Sequence, residues 1–216
     1  MTTRSEPARQ GTSPSGEARE RILRTAYELF RDHGVQAVGV DRIVAEAGVA
    51  KTTLYHHFSS KDQLAVAALE LREQLWTRDW LAKEVERRGR TPVDRLLAIF
   101  DVFDEWFRGR DFEGCFFINT LLELRDRTSP IGAASVTALA NIRDLVRSYA
   151  EVAGVRDPEA FAREWQVLMS GTCVAAMAGD ADSAVRARET AVLVLEREIV
   201  HDVLGHRDGC QVPALE

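Results

Sequence analysis

Apolar side chains recur at three- and four-residue spacing through most of the chain, and nowhere does a period of two run long enough to make a sheet. The pattern predicts an all-α protein of about nine helices. Their starts are punctuated. Ser60-Lys61-Asp62-Gln63 reads as a capping box that opens a long fourth helix, running to about Gly89. Thr91-Pro92, Ser129-Pro130 and Asp157-Pro158 open the fifth, seventh and eighth, with proline in the first turn, where its missing N–H costs nothing. The fifth ends near Gly109 and the seventh near Gly154. A shorter sixth helix spans Cys115 to about Arg125, and a ninth runs from Asp182 to near Gly205. Residues 1–14, rich in Thr, Ser, Pro and charge, predict a disordered tail.

The stretch Gly34 to Phe58 carries the clearest chemistry. Two short helical patterns flank Ala47-Gly48-Val49. Ile43, Val44 and Ala47 give the first an apolar face, and Gly48 sits where a helix ends in a left-handed residue, a backbone glycine adopts without steric cost. Leu54 and Phe58, four apart, share the inner face of the second pattern. Lys51, Thr52, Thr53, Tyr55 and His56 are left facing outward, with His57 beside them. Ammonium, hydroxyl, phenol and imidazole are the groups that bond phosphates and base edges. The pattern is that of a helix-turn-helix whose second helix enters a DNA groove; the plainer alternative is a helical hairpin with a polar face.

Residues 19–64 resemble the DNA-binding domain of the tetracycline-repressor (TetR) family. The resemblance rests on Ala26, Leu29, Phe30 and Gly34, then Ile43, the Ala47-Gly48-Val49 turn, the Thr53-Leu54-Tyr55-His56-His57-Phe58 run, and Lys61. It implies DNA contacts at Thr53, Tyr55, His56 and Lys61. It also implies a homodimer and a small-molecule effector bound among the middle helices. Gly39 and Ala50 stand where the family often has Ser or Thr at the starts of the second and third helices. Alanine is a poor cap, at a typical cost of ~1 kcal/mol.

A net charge of −6 looks wrong for a DNA binder until it is divided. Residues 1–64 hold nine Lys and Arg against eight Asp and Glu, and the remainder holds 19 against 26. The acid excess therefore lies outside the DNA-reading part. Only three lysines occur, and two of them, Lys51 and Lys61, fall on the proposed DNA face. No apolar run has membrane-spanning length, and the start lacks a charged-then-apolar leader. Cys115, Cys173 and Cys210 form no zinc spacing and suggest no disulfide framework. A cytoplasmic protein without cofactor or metal fits.

The expected organisation is a tail (1–14), a helix-turn-helix domain (15–64) and an effector-binding, dimerising domain (65–216). The last two helices carry apolar stripes that suit a symmetric four-helix interface: Trp165, Thr172 and Ala176 on one, Val192, Leu195 and Ile199 on the other. The same stripes would also serve as the subunit's own core. The middle of the chain offers aromatic residues for a ligand pocket: Phe103, Trp106 and Phe107 in the fifth helix, and Phe117 with Asn119 in the sixth. Trp165, Met169 and Cys173 in the eighth complete it. Aromatic stripes at helical spacing are also what a plain core looks like.

Two rival functions remain. Cys115 opens a helix, where the dipole favours thiolate, so a cysteine-based redox or electrophile sensor is an alternative. Glu198-Ile199-Val200-His201 has the Glu-x-x-His spacing of helical carboxylate metal enzymes, but lacks the second copy such sites need. No phosphate loop, nucleophile elbow or zinc-protease motif occurs, so no enzyme is expected. The sequence points to a repressor that binds a palindromic operator as a homodimer and is released by a small lipophilic effector.

Overall fold

A computed structural model describes residues 14–110 and 112–205, with Pro14 and 199–205 described by backbone alone. Among the described residues there is no strand. The predicted tail, apart from Pro14, and Cys210 lie outside the described residues. The chain divides between Ala68 and Leu69 into two compact units.

The first unit holds α1 (Pro14–His33), α2 (Val40–Ala47), α3 (Lys51–His57) and the start of α4. Ile22, Ala26 and Phe30 from α1 close over Ile43, Leu54 and Phe58, all essentially without solvent exposure. Gly48 takes φ 64°, and the Val49 N–H returns to the Val44 carbonyl at 3.1 Å, which ends α2 in a Schellman turn. Gly39 and Ala50 both sit at helix N-caps with extended backbone and no side-chain cap.

Helix α4 opens as expected at Ser60, whose hydroxyl accepts the Gln63 N–H at 3.1 Å. Gln63, however, reaches back to the N–H of Ser59 rather than Ser60. The helix is also not uniformly α. It runs as α-helix over Lys61–Arg72, as π-helix over Glu73–Leu81, and as α-helix again over Ala82–Arg88. The wide turns are matched by side-chain bonds of the same reach: Arg78 donates to Glu73 at 2.9 Å and Gln74 to Asp79 at 3.0 Å, each five residues apart. The cause lies in the apolar phase. Trp76 and Leu81 are both buried though five apart, and an α-helix cannot turn both onto one line.

The second unit continues with α5 (Pro92–Phe107), α6 (Phe116–Leu124), α7 (Pro130–Ala153), α8 (Pro158–Met177) and α9 (Ser183–Gly205). A reciprocal capping box between Thr91 and Asp94 starts α5; Ser129 and Asp157 cap α7 and α8. Helix α7 packs on α5, α6 and α8, and α9 on α5 and α8. The core is aromatic. Trp165 stacks on Phe161 at 4.9 Å and meets Phe100 at 5.4 Å, while Trp106 gathers Trp76, Phe103, Phe107 and Phe112 within 6 Å. No helix among the described residues is long and apolar enough to cross a membrane.

Candidate functional site

The polar face proposed for DNA is present as a surface. Lys51, Thr52, Tyr55 and His56 are exposed, and Thr53, His57 and Lys61 are half-buried. Seven residues are too few for an isolated helix in water, so α3 owes its shape to packing. Leu54 and Phe58 are its anchors, and the Arg19 guanidinium lies 5.0 Å from the Phe58 ring centroid. Arg21, which the sequence reading passed over, donates to the Ala47 carbonyl at 2.9 Å and ties α1 to the end of α2.

Two of the proposed contact groups are already engaged. Lys51 Nζ donates to Asp41 Oδ1 at 2.7 Å, and that carboxylate raises the lysine above its ordinary value. Lys61 Nζ donates to the Gln36 carbonyl at 3.3 Å, which aims the ammonium at the loop before α2. The His56 and His57 rings meet edge to face at 5.2 Å.

The second unit holds a small apolar cavity of about 30 Å³ between α4, α5, α6, α7 and α8. Of the expected ligand residues, Phe103, Trp106, Met169 and Cys173 line it. The other four are placed elsewhere. Phe107 packs on Phe112, and Phe117 and Trp165 are core, each 1% exposed. Asn119 donates to the Glu113 carbonyl at 2.9 Å and holds the loop before α6. The sequence reading missed Trp76, Ile118, Leu139, Ile142, Gln166 and Ser170, and had not placed Cys115 at this wall. Trp76 had a signal, the slip in apolar phase along α4.

Cys115 does not gain the acidity expected at a helix start. Burial pushes its thiol up, and the N–H groups of Ile118 and Phe117, with the Arg72 charge, offset this only in part. Burial pushes Cys173 higher still. Among the described residues no three metal-ligating side chains gather. Glu198 pairs with Arg197 at 3.1 Å, and the side chains of His201 and Ile199 lie outside the described residues.

The residues proposed for the subunit interface differ in their exposure within the single chain. Trp165, Thr172 and Leu195 are 1%, 5% and 3% exposed within the single chain, so they fill its own interior. Ala176 and Val192 are half-buried. The exposed apolar line on α8 is one position round, at Val167, Gly171 and Val174, with Leu193 on α9. Between the two helices runs an open groove floored by Gly171, Thr172, Ala175 and Ala187, and elsewhere along the pair Glu164 on α8 meets Arg197 on α9 at 2.5 Å.

Residues 22–68 match the model of the bacterial regulatory proteins of the tetR family, and residues 92–191 match that of the tetracyclin repressor-like C-terminal domain. The transcriptional activator FasR of Mycolicibacterium smegmatis is 40% identical over 93 residues, 42% of this chain and 40% of FasR. The repressor KstR2 of the same species is 32% identical over 91 residues, 41% of this chain and 42% of KstR2. Matched stretches thus span less than half the length of these relatives. A TetR-type regulator from Streptomyces avermitilis superposes with a TM-score of 0.74 at 28% identity, covering 84% of this chain and 97% of that one. A TetR-family regulator from Streptomyces coelicolor gives the same TM-score and identity over 84% and 96%. With both ends of the family's architecture matched in sequence and the whole of it in structure, the chain belongs to the TetR family of transcriptional regulators, which bind DNA through the helix-turn-helix.

Proposed function

We propose that this protein is a cytoplasmic repressor that binds a palindromic operator as a homodimer and is released by a small lipophilic effector. The observation that carries the reading is the exposed face of α3, where Lys51, Thr52, Tyr55 and His56 project from a helix fixed by two fully buried side chains. Thr53 and Lys61 complete the set of contacts. Dimerisation supplies the second half-site. Two recognition helices ~34–36 Å apart enter successive major grooves, and one helix-turn-helix alone makes too few base contacts. The exposed line Val167, Gly171, Val174 and Leu193 is suited to an isologous contact, since small and branched apolar residues flank a groove. The apolar cavity lined by Phe103, Trp106, Met169 and Cys173 is the effector site. An effector that binds better to a differently spaced dimer lowers DNA affinity by that differential free energy and no more. The relatives include an activator and a repressor, and repression is the simpler outcome of effector-released binding.

The test is operator binding against salt. On the DNA upstream of its own gene the protein is expected to bind with a Kd of order 10⁻⁸ M or tighter, and log affinity should fall steeply with log salt. A flat slope, or equal affinity for any duplex, would refute the reading.

A further inference from the structure

We infer that Arg19 is a further DNA-backbone contact: its guanidinium, held against the Phe58 ring, bonds a phosphate where α3 gives way to α4. The inference rests on the helix-turn-helix binding DNA and adds a contact from α1, outside the two helices of the motif. Among the described residues of the first unit are seven arginines and lysines. Four are met by carboxylates: Arg24 by Glu20 at 3.4 Å, Arg31 by Asp32 at 2.6 Å, Arg42 by Glu46 at 2.8 Å and Lys51 by Asp41 at 2.7 Å. Arg21 and Lys61 donate to the carbonyls of Ala47 and Gln36. Arg19 alone has neither a carboxylate nor a carbonyl partner among the described residues, and it is exposed.

An aromatic face sets its position instead. The guanidinium lies over the Phe58 ring, 5.0 Å from the centroid. Phe58 ends α3, where its N–H bonds the Leu54 carbonyl at 2.9 Å, and it is buried in the core of the unit. The platform is therefore fixed together with the recognition helix. Stacking engages the flat face of a guanidinium and leaves its five N–H donors pointing outward in the plane, a fork that matches phosphate oxygens. A lysine at the same place would keep the charge and lose the fork.

The surroundings favour an anion. Lys61 follows Phe58 by three residues, in the first turn of α4, and that helix turns the positive end of its dipole toward the junction. Asp62 in the same turn is exposed and opposes this with one charge. A duplex that takes α3 into its major groove carries its backbone past the end of that helix. A phosphate reaching Arg42 or Lys51 must compete with a carboxylate already bonded there, whereas at Arg19 it displaces only water and counterions.

The test uses the full-length protein, a duplex from upstream of its own gene, and a scrambled duplex of the same length. Log affinity is measured against log salt for the wild type, Arg19→Gln and Arg19→Lys, with circular dichroism melting as the control of fold. Arg19→Gln should lose about eightfold in affinity per half-site near 0.1 M salt, with a slope shallower by about 0.9 per half-site, the value of one phosphate. The loss should be similar on both duplexes, because a phosphate carries no sequence information. Arg19→Lys should keep the slope and lose part of the affinity. A methylphosphonate walked along the backbone beside the half-site removes one phosphate charge at a time; at one position it should weaken the wild type and leave Arg19→Gln unchanged. A purely structural arginine predicts otherwise: Arg19→Gln would melt lower and bind more weakly at an unchanged slope, and every methylphosphonate would cost both proteins alike. That result, or wild-type affinity and slope in Arg19→Gln, would overturn the inference and leave the helix-turn-helix reading intact. Should Arg19→Gln not fold, Arg19→Lys replaces it in the walk: the sensitive position should cost it less than the wild type, and equal cost would overturn the inference. A wild type that binds neither duplex, or binds with a flat slope, would remove the helix-turn-helix reading and this inference with it.

Discussion

The subunit interface gives the sharpest contrast between two neighbouring residues. Val167 is 74% exposed on α8 and Leu195 is 3% exposed on α9, yet each would pass as an interface residue on sequence alone. Val167→Glu should leave the protomer folded, because its side chain has few internal contacts to lose. In a dimer built on this face the same change is severe. Burying a valine is worth ~1.5 kcal/mol at the low end. A two-fold interface contains it twice, so ~3 kcal/mol is lost, or about 100-fold in the dimer constant. Desolvating unpaired carboxylates adds several kcal/mol more. Leu195→Glu instead places a carboxylate in the protomer's core, which threatens most of a typical 5–15 kcal/mol stability. Sedimentation over a protein dilution series, with far-ultraviolet circular dichroism, separates the two. Val167→Glu should be a helical monomer with weak operator binding, and Leu195→Glu an unfolded or aggregated chain. A Val167→Glu dimer of wild-type strength would refute the placement of the interface, and a clean folded monomer from Leu195→Glu would return it to the original stripe.

Two further outcomes follow from single contacts. Because Asp41 holds Lys51 at 2.7 Å, Asp41→Asn should tighten operator binding and steepen the salt slope by up to about 0.9 per protomer, the value of one phosphate contact. The gain should disappear in a Lys51→Ala background; if it persists there, Asp41 acts through general charge and Lys51 does not touch DNA. Because burial raises the Cys115 thiol, its thiolate is scarce at neutral pH and appears only as pH climbs past the ordinary cysteine range. In a Cys210→Ser background, alkylation of Cys115 should be slow at neutral pH and rise with pH; fast alkylation that levels off below the ordinary range would revive the redox sensor.

The helix-turn-helix was legible because its constraints are local. Gly48 had to accept a positive φ, Leu54 and Phe58 had to share a face, and what remained was polar. Helix starts were legible for the same reason: Thr91, Ser129 and Asp157 each cap the N–H three residues on. The interior was not. Helical spacing says that Trp165 and Leu195 face inward, but not whether inward means the chain's own core or a partner's surface. Likewise, Phe107 and Phe103 share a stripe, yet one packs on Phe112 and the other borders empty space. Which ring lines a cavity depends on neighbours more than 60 residues away, such as Met169 and Cys173. The π-helix was written in the five-residue step from Trp76 to Leu81, but a period fitted over the whole of α4 averages such a slip away.

The places where this chain departs from good local practice are informative about where its energy comes from. Ala50 gives α3 no side-chain cap, and α3 is too short to stand alone. Its geometry is therefore borrowed from the buried Phe58 and Leu54 and from the Arg21 bond to Ala47. Substitutions at those supports should register as lost DNA binding before they register as lost fold, since the recognition face is the least self-sufficient part of its unit. In the other unit the departures converge on one helix. The stretch Glu73–Leu81 gives up α-helical hydrogen bonding, and within it both Trp76 Nε1 and Thr77 Oγ1 are buried without partners among the described residues. A sequence under selection for stability alone would have little reason to keep two such costs side by side.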